Sequence, residues 1–389
     1  MTSPVTQLQE TQNTPRWSYI TLGYILCAVY SFLFAIDLLG LGLGALAGPS
    51  ASQWTSATDN PFIGLFIGLL VTAILQSSST TTSLAVAAVA AGSLSLENAI
   101  PMILGANIGT TITSTIVAFG FITKGHEFRK ATSAAMIHSM FNILGVILLF
   151  PLELTFRPLQ RVSEFISSCI PVSTSGNPRF WIGQSFDFLG NQLLTYTNAW
   201  VITILSVFLL FGSIKLLARL LYMRLVGKQQ EQFRNIVFKS PTRAFGSGLF
   251  ITSVVQSSSL TTSLLVPIVA TGKVKLARAF YFMMGANIGT TITAILAALL
   301  RSEAAMSLAI VHFLFNVSAT LLYVCLPWLG KLPLFLAERL GYLMFRYRVA
   351  AFAYITLAFF VIPFTLIYFS KSKTPEKPLI ESVKKVHDP

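Results

Sequence analysis

Residues 68–113 and 248–293 align without a gap at a constant offset of 180, with 26 identities in 46 positions. A duplication of this kind constrains the fold before any helix is assigned, because each copy must adopt the same local structure. The shared blocks are polar. Gln76, Ser77, Ser78 and Ser79 recur as Gln256, Ser257, Ser258 and Ser259, and one residue later both copies carry Thr-Thr-Ser-Leu, beginning at Thr81 and Thr261. Gly105-Ala106-Asn107-Ile108-Gly109-Thr110 recurs as Gly285-Ala286-Asn287-Ile288-Gly289-Thr290. A third block, His138 to Asn142, returns as His312 to Asn316 at an offset of 174.

These polar blocks sit in an apolar chain. Residues of the AVILMFWYC set make up 54% and only 11% are charged, against about 25% charged in an ordinary soluble domain. The composition fits an all-α polytopic membrane protein. The 27 Lys and Arg outnumber the 14 Asp and Glu, but they fall in short blocks between uncharged stretches, so they read as topology signals rather than as a nucleic-acid surface. Three cysteines, Cys27, Cys169 and Cys325, give no framework spacing. The apolar run after Arg16 is too long for a cleaved signal peptide, and the polar loop 153–197 has no glycosylation sequon. A bacterial inner-membrane protein is the expectation.

Charge asymmetry orients the copies. After the first Gln-Ser-Ser-Ser segment, residues 93–98 have no Lys or Arg, whereas the matching place in copy two has Lys273, Lys275 and Arg278. After the Gly-Ala-Asn span the bias reverses, with Lys124, Arg129 and Lys130 in copy one and only Arg301 in copy two. The copies therefore read as inverted-topology repeats, each with a re-entrant helical hairpin and a broken transmembrane helix. A cytoplasmic tail (1–16) precedes the first repeat (17–152), which comprises a span at 17–48, a hairpin at 61–92 and spans at 99–122 and 131–152. Residues 153–197 form an extracytoplasmic loop. The second repeat (198–326) comprises a span, a cytoplasmic connection at 215–243 with seven Lys/Arg, a hairpin at 244–272 and spans at 279–300 and 304–326. An amphipathic segment and a final span occupy 327–369, and 370–389 is a polar tail whose lysines conflict with an outside location. Each hairpin half, about fifteen residues, is too short to span a bilayer core that needs about twenty.

The chemistry at the two tips is neutral. Residues 61–122 contain one charged side chain, Glu97, and 244–272 contain none. Polar groups at membrane depth are costly without partners in protein, water or ligand. A tip between two half-helices offers free backbone N–H groups and a positive dipole end to an anion. Ser77, Ser78, Ser79, Ser257, Ser258 and Ser259 add hydroxyl donors, while amide and hydroxyl oxygens nearby suit a hard cation. Ser and Thr also pack helices closely, and Gly105-xxx-Gly109 and Gly285-xxx-Gly289 fit that use as well as site building. His138 with Asn142 and His312 with Asn316 read as structural hydrogen-bonding pairs one turn apart. Asp37 is expected near a helix end or a wet cavity, and Glu97 and Glu153 in outside loops.

Three polar blocks in order, twice and inverted, resemble the type II sodium-dependent phosphate cotransporter family over about 61–153 and 244–316. The resemblance implies sodium-coupled symport of inorganic phosphate by alternating access, without a cofactor and without enzymatic chemistry. It implies phosphate at Ser77, Ser78, Ser79, Ser257, Ser258 and Ser259. It implies sodium at Gln76, Thr81, Asn107, Thr110, Gln256, Thr261, Asn287 and Thr290. Partners are then phosphate, sodium and the lipid bilayer, with no nucleic acid. The alternatives are a sodium-coupled carrier of another small anion, such as a dicarboxylate or sulfate, a channel, and a membrane-embedded enzyme built on Ser77 and His138. Duplicated motifs and the scarcity of core carboxylates argue against the enzyme.

Overall fold

A computed structural model describes residues 19–47, 60–170, 189–190, 192–225, 236–299 and 301–371. The N-terminal tail, the middle of the 215–243 connection, most of the polar tail and three of the tryptophans (Trp17, Trp54, Trp181) lie outside the described residues. Among the described residues the secondary structure is helical, with no strand. Six helical stretches are long and apolar enough to cross a membrane: Gly23–Leu46, Leu96–Phe119, His126–Phe156, Leu276–Ala298, Glu303–Cys325 and Arg348–Phe369. The chain is a multi-pass membrane protein.

Helix α1 (Tyr19–Ala47) leads to α2 (Pro61–Leu75), α3 (Ser78–Ala90), α4 (Leu96–Gly109), α5 (Ile112–Phe119), α6 (His126–Phe156) and α7 (Pro158–Ser168). After α8 (Ala199–Leu225) follow α9 (Pro241–Val255), α10 (Ser258–Ser263), α11 (Leu265–Ala270), α12 (Leu276–Ala298), α13 (Glu303–Cys325) and α14 (Pro327–Arg346). The last apolar stretch is α15 (Arg348–Thr356), a π turn at Leu357–Val361 and α16 (Ile362–Lys371). The π turn lies just before Pro363, whose missing N–H disturbs the regular bonding of the preceding turn.

Matching residues start the matching helices. Asn60 caps α2 by accepting from the Phe62 N–H, and Ser240 caps α9 by accepting from Arg243; in both, Pro61 and Pro241 occupy the first helical position, where a missing N–H has no cost. The glycines then set the packing. A Cβ on Gly105 would overlap the Leu65 carbonyl of α2, and a Cβ on Gly285 would overlap the Phe245 carbonyl of α9. Gly68 and Gly248 are equally filled, against the Met102 and Phe282 carbonyls. Each hairpin's first arm thus lies backbone to backbone on the following Gly-Ala-Asn helix, which only glycine permits.

Several expectations are corrected. The second copy has no broken helix: α12 runs unbroken through Thr290 and Thr291, whereas copy one breaks at Thr110–Thr111. The cause lies one turn on. Ser114 and Thr115 hydroxyls donate to the Thr111 carbonyl at 2.9 and 3.1 Å, competing with the helical N–H ladder, while copy two has Ala294 and Ile295 at the matching positions. The stretch after residue 153 is not all loop. Glu153 is buried, and its carboxylate accepts from the Leu159 and Gln160 N–H groups at 2.7 and 3.1 Å, which caps α7 where Arg157 turns the chain with φ 51°. Asp37 is not near a helix end. It lies within α1, 6% exposed, and forms an ion pair with Arg301 at 2.8 Å.

Candidate functional site

The two Gln-Ser-Ser-Ser segments form the same short turn. Gln76 closes α2 with φ 53° and Gln256 closes α9 with φ 56°, both left-handed, a conformation that costs a non-glycine side chain energy. Ser77 and Ser257 then take extended backbone angles and cap the next helices, accepting from the Thr80 and Leu260 N–H groups. Thr81 and Thr261 hydroxyls bond back to the Ser77 and Ser257 carbonyls at 3.2 and 2.8 Å. The first N–H groups of α3 and α10 lie beyond these caps.

Residues far apart in the chain bring the tips together. Ser79 donates its hydroxyl to the Gln256 carbonyl at 3.0 Å, and Ser259 donates to the Gln76 carbonyl at 3.3 Å. The bonds are reciprocal, each tip's third serine reaching the other tip's glutamine backbone. Ser78 and Ser258, 4% and 3% exposed, stand between them with hydroxyls that no described neighbour engages. The tips are not identical in their surroundings: Gln256 is buried and its Oε1 has no hydrogen-bond partner among the described residues, whereas Gln76 is exposed.

A second reciprocal pair of contacts lies one layer away. His312 Nε2 and Asn316 Nδ2 both donate to Asn107 Oδ1, at 3.3 and 3.2 Å. In the mirror relation His138 Nε2 donates to Asn287 Oδ1 at 3.1 Å, and Asn287 Nδ2 donates to Asn142 Oδ1 at 3.4 Å. The His-x-x-x-Asn helix of each copy therefore grips the Gly-Ala-Asn helix of the other. All six side chains are buried. Of the fourteen serine, glutamine, threonine and asparagine residues read from the sequence as site positions, the serines and glutamines meet at the tips, while Asn107 and Asn287 join this inter-copy network.

Some buried oxygens at the site were not singled out in the sequence. Thr72 and Thr252, Thr113 and Thr293, and Ser83 and Ser263 all keep buried hydroxyls without a partner among the described residues, and each pair is related by the offset of 180. Thr110 Oγ1 is also unpartnered, whereas its counterpart Thr290 donates to the Ala286 carbonyl at 2.9 Å. Thr72 packs beside Gly109, and Thr252 beside Gly289, so these hydroxyls lie where the hairpin arm meets the Gly-Ala-Asn helix. Their signal was present in the repeat alignment: Ser83 and Ser263 lie in the shared Thr-Thr-Ser-Leu runs, Thr113 and Thr293 follow the Gly-Ala-Asn blocks, and Thr72 and Thr252 are identities outside the polar runs. Buried polar atoms without partners are rare and call for an explanation.

The profile of the Na+/Pi-cotransporter family matches residues 31–167 and 208–330, covering both copies. The chain belongs to that family. It is similar to sodium-dependent phosphate transport protein 2B of Homo sapiens, 30% identical over 449 residues that cover 89% of this chain and 64% of that protein. It is also similar to sodium-dependent phosphate transport protein 2A of Ovis aries, 31% identical over 423 residues, with 87% and 66% covered. The chain thus spans about two thirds of the length of these cotransporter relatives. No solved structure matches it.

Proposed function

We propose that this member of the Na+/Pi-cotransporter family is a secondary active transporter, not an enzyme, that carries inorganic phosphate into the cell with sodium. The relatives' names state sodium-dependent phosphate transport, and the residues at the tips suit that cargo. The observation that carries the reading is the reciprocal Ser79–Gln256 and Ser259–Gln76 bonding, which leaves the hydroxyls of Ser78 and Ser258 free beside two helix starts. Hydroxyl and N–H donors of this kind complement phosphate oxygens.

Sodium is assigned to neutral oxygens beside the anion. The unpartnered hydroxyls of Thr72, Thr110, Thr113, Thr252 and Thr293 and the Gln256 Oε1 are the strongest ligand candidates, with Gln76, Thr81, Thr261 and Thr290 completing the set. Asn107 Oδ1 and Asn287 Oδ1 are engaged by histidine donors in this conformation, so a sodium ion at either would exchange with those bonds. Pairing cation with anion lowers the cost of holding each in a low-dielectric site. In this reading the hairpins are re-entrant, the copies have inverted topology, and alternating access moves the hairpin-bearing core against the other spans. The N-terminus is cytoplasmic and the membrane a bacterial inner membrane.

The test is uptake of labelled phosphate by the purified full chain in liposomes, with an inward gradient of sodium or of choline. Accumulation that requires sodium is the expected result. Equal uptake in choline would overturn sodium coupling, and no uptake beside sodium-driven uptake of sulfate or a dicarboxylate would replace the cargo.

A further inference from the structure

At the base of the second hairpin, away from its tip, a cleft of about 410 Å³ opens between the start of α6, the turn between α11 and α12, and α14. Its walls carry Arg129 and Lys130 from α6, Lys275 from the turn and Glu338 from α14. Three permanent positive charges thus face one negative charge. Among the described residues none of the three cations has an ion-pair partner. Arg129 lies over the Tyr342 ring at 5.3 Å, a stacking contact that leaves the edge N–H groups of the guanidinium available. Lys130 reaches across to the hairpin, where its Nζ lies 2.9 Å from the place a Cβ would take on Gly272.

The base of the first hairpin differs. There Glu97, in the first turn of α4, holds Arg157 through both carboxylate oxygens, the longer bond being 3.2 Å, so the cation is neutralised within the chain. Copy two has Ala277 where copy one has Glu97, and it adds Lys275 where copy one has Ser95. The duplication has therefore left the base of the first hairpin with two carboxylates, Glu97 and Glu153, to one cation, and the base of the second with three cations to one carboxylate. Like charges held in one cleft repel, and an anion that enters between them relieves the repulsion.

We propose that this cleft is a second anion site that binds a phosphate group, separate from the hairpin tips. A guanidinium beside two ammonium groups offers three positive charges and many N–H donors, which a phosphate, with more acceptor oxygens and up to two negative charges, uses more fully than a carboxylate does. The cleft is wide enough for a substituted phosphate, and one wall is α14, which exposes Trp328, Phe335, Tyr342 and Leu343. Such aromatic and apolar exposure beside basic residues marks the headgroup level of a bilayer, where basic pockets between helices hold lipid phosphates. The ligand is thus the phosphate of an anionic lipid headgroup or of a soluble phosphate; the chemistry is shared. An occupant would tie α6 and α14 to the base of the second hairpin. The inference does not rest on the transport reading, because none of these residues lies at the tips.

The experiment compares the wild-type full chain with Lys130→Gln/Lys275→Gln and with a charge-matched control, Lys239→Gln/Lys331→Gln, both exposed lysines outside the cleft. Two probes are used: inorganic phosphate in sodium-free choline buffer, followed by titration calorimetry, and phosphatidylglycerol, followed by native mass spectrometry. Binding of at least one probe to wild type and control, and about thirtyfold weaker binding to the cleft variant, is expected for the removal of two cations beside an anionic group. Loss confined to phosphatidylglycerol identifies a lipid headgroup, and loss confined to inorganic phosphate identifies a soluble ligand. Glu338→Gln, which leaves the cations intact, should tighten the same probe about fivefold and serves if the double variant does not fold. Equal binding by all variants, or no binding of either probe to wild type, overturns the proposal.

Discussion

The two copies agree at their tips and disagree in where their helices are continuous. Copy one has an unbroken second hairpin arm, Ser78–Ala90, followed by a helix that breaks at Thr110–Thr111; copy two has a second arm interrupted at Leu264 and then an unbroken helix, Leu276–Ala298. Both differences trace to one or two residues. Pro267 stands where copy one has Ala87, and it cannot donate to the carbonyl of Ser263, which opens the arm near Leu264. Ser114 and Thr115 open the helix of copy one, where copy two has Ala294 and Ile295. The shared residues thus set the chemistry of the tips and the glycine packing beneath them. The unshared ones set where each copy's helices are interrupted, in the hairpin of one copy and in the following helix of the other.

The largest effect is expected at an ion pair that joins the two copies. Asp37 and Arg301 join α1 to the segment after α12, with side chains only 8% and 16% exposed. Removing one partner of a buried pair leaves an uncompensated charge and costs about 3–5 kcal/mol. Asp37→Ala should therefore lower the melting temperature of the purified protein sharply, whereas Glu127→Ala, which ends the exposed Lys124–Glu127 contact at 4.0 Å in copy one, should change stability by less than about 1 kcal/mol. Equal shifts would mean that the Asp37–Arg301 pair does no more than a surface contact.

Next is exchange of the helix-breaking residues. Ala87→Pro in copy one should destabilise by about 3 kcal/mol, the cost of proline inside a helix. Pro267→Ala should be tolerated and should slow hydrogen exchange of the backbone around Leu264. Unchanged exchange there would assign the interruption to packing instead of proline.

A smaller effect, equal in the two copies, is expected at the glycines. Gly105→Ala and Gly285→Ala each force a methyl group against a carbonyl of the neighbouring arm, and overpacking of this kind costs about 1–3 kcal/mol. The two variants should melt within about 1 kcal/mol of each other. A large difference between them would show that the two arm-on-helix contacts are not energetically equivalent.

Much of this was legible in the sequence for a physical reason. A duplicated block must fold the same way twice, so the offset of 180 located both turns, whereas the caps and the carbonyls that the glycines meet were visible only in the structure. The Thr72 and Thr252 hydroxyls were equally shared, but as isolated identities in apolar stretches they carry no local signal, and Thr113 and Thr293 close the shared runs from Gly105 and Gly285 without standing out from them; only burial without a hydrogen-bond partner distinguishes these four. Pairings between distant segments were not legible at all. Asp37 with Arg301, and each histidine with the other copy's asparagine, depend on how helices cross, which no periodicity encodes. The helix Pro158–Ser168 was hidden because its start relies on a carboxylate from the helix before it, Glu153.

The central claim is that the two tips form one site between them. Equilibrium binding of labelled phosphate to the purified chain in saturating sodium, corrected for binding in choline, tests it directly. One sodium-dependent phosphate per chain is predicted, with Ser78→Ala and Ser258→Ala each weakening that single site by about ten- to a hundredfold, the loss of one hydrogen bond to a charged ligand. Two sodium-dependent phosphates per chain, each lost only with the serine of its own hairpin, would contradict it.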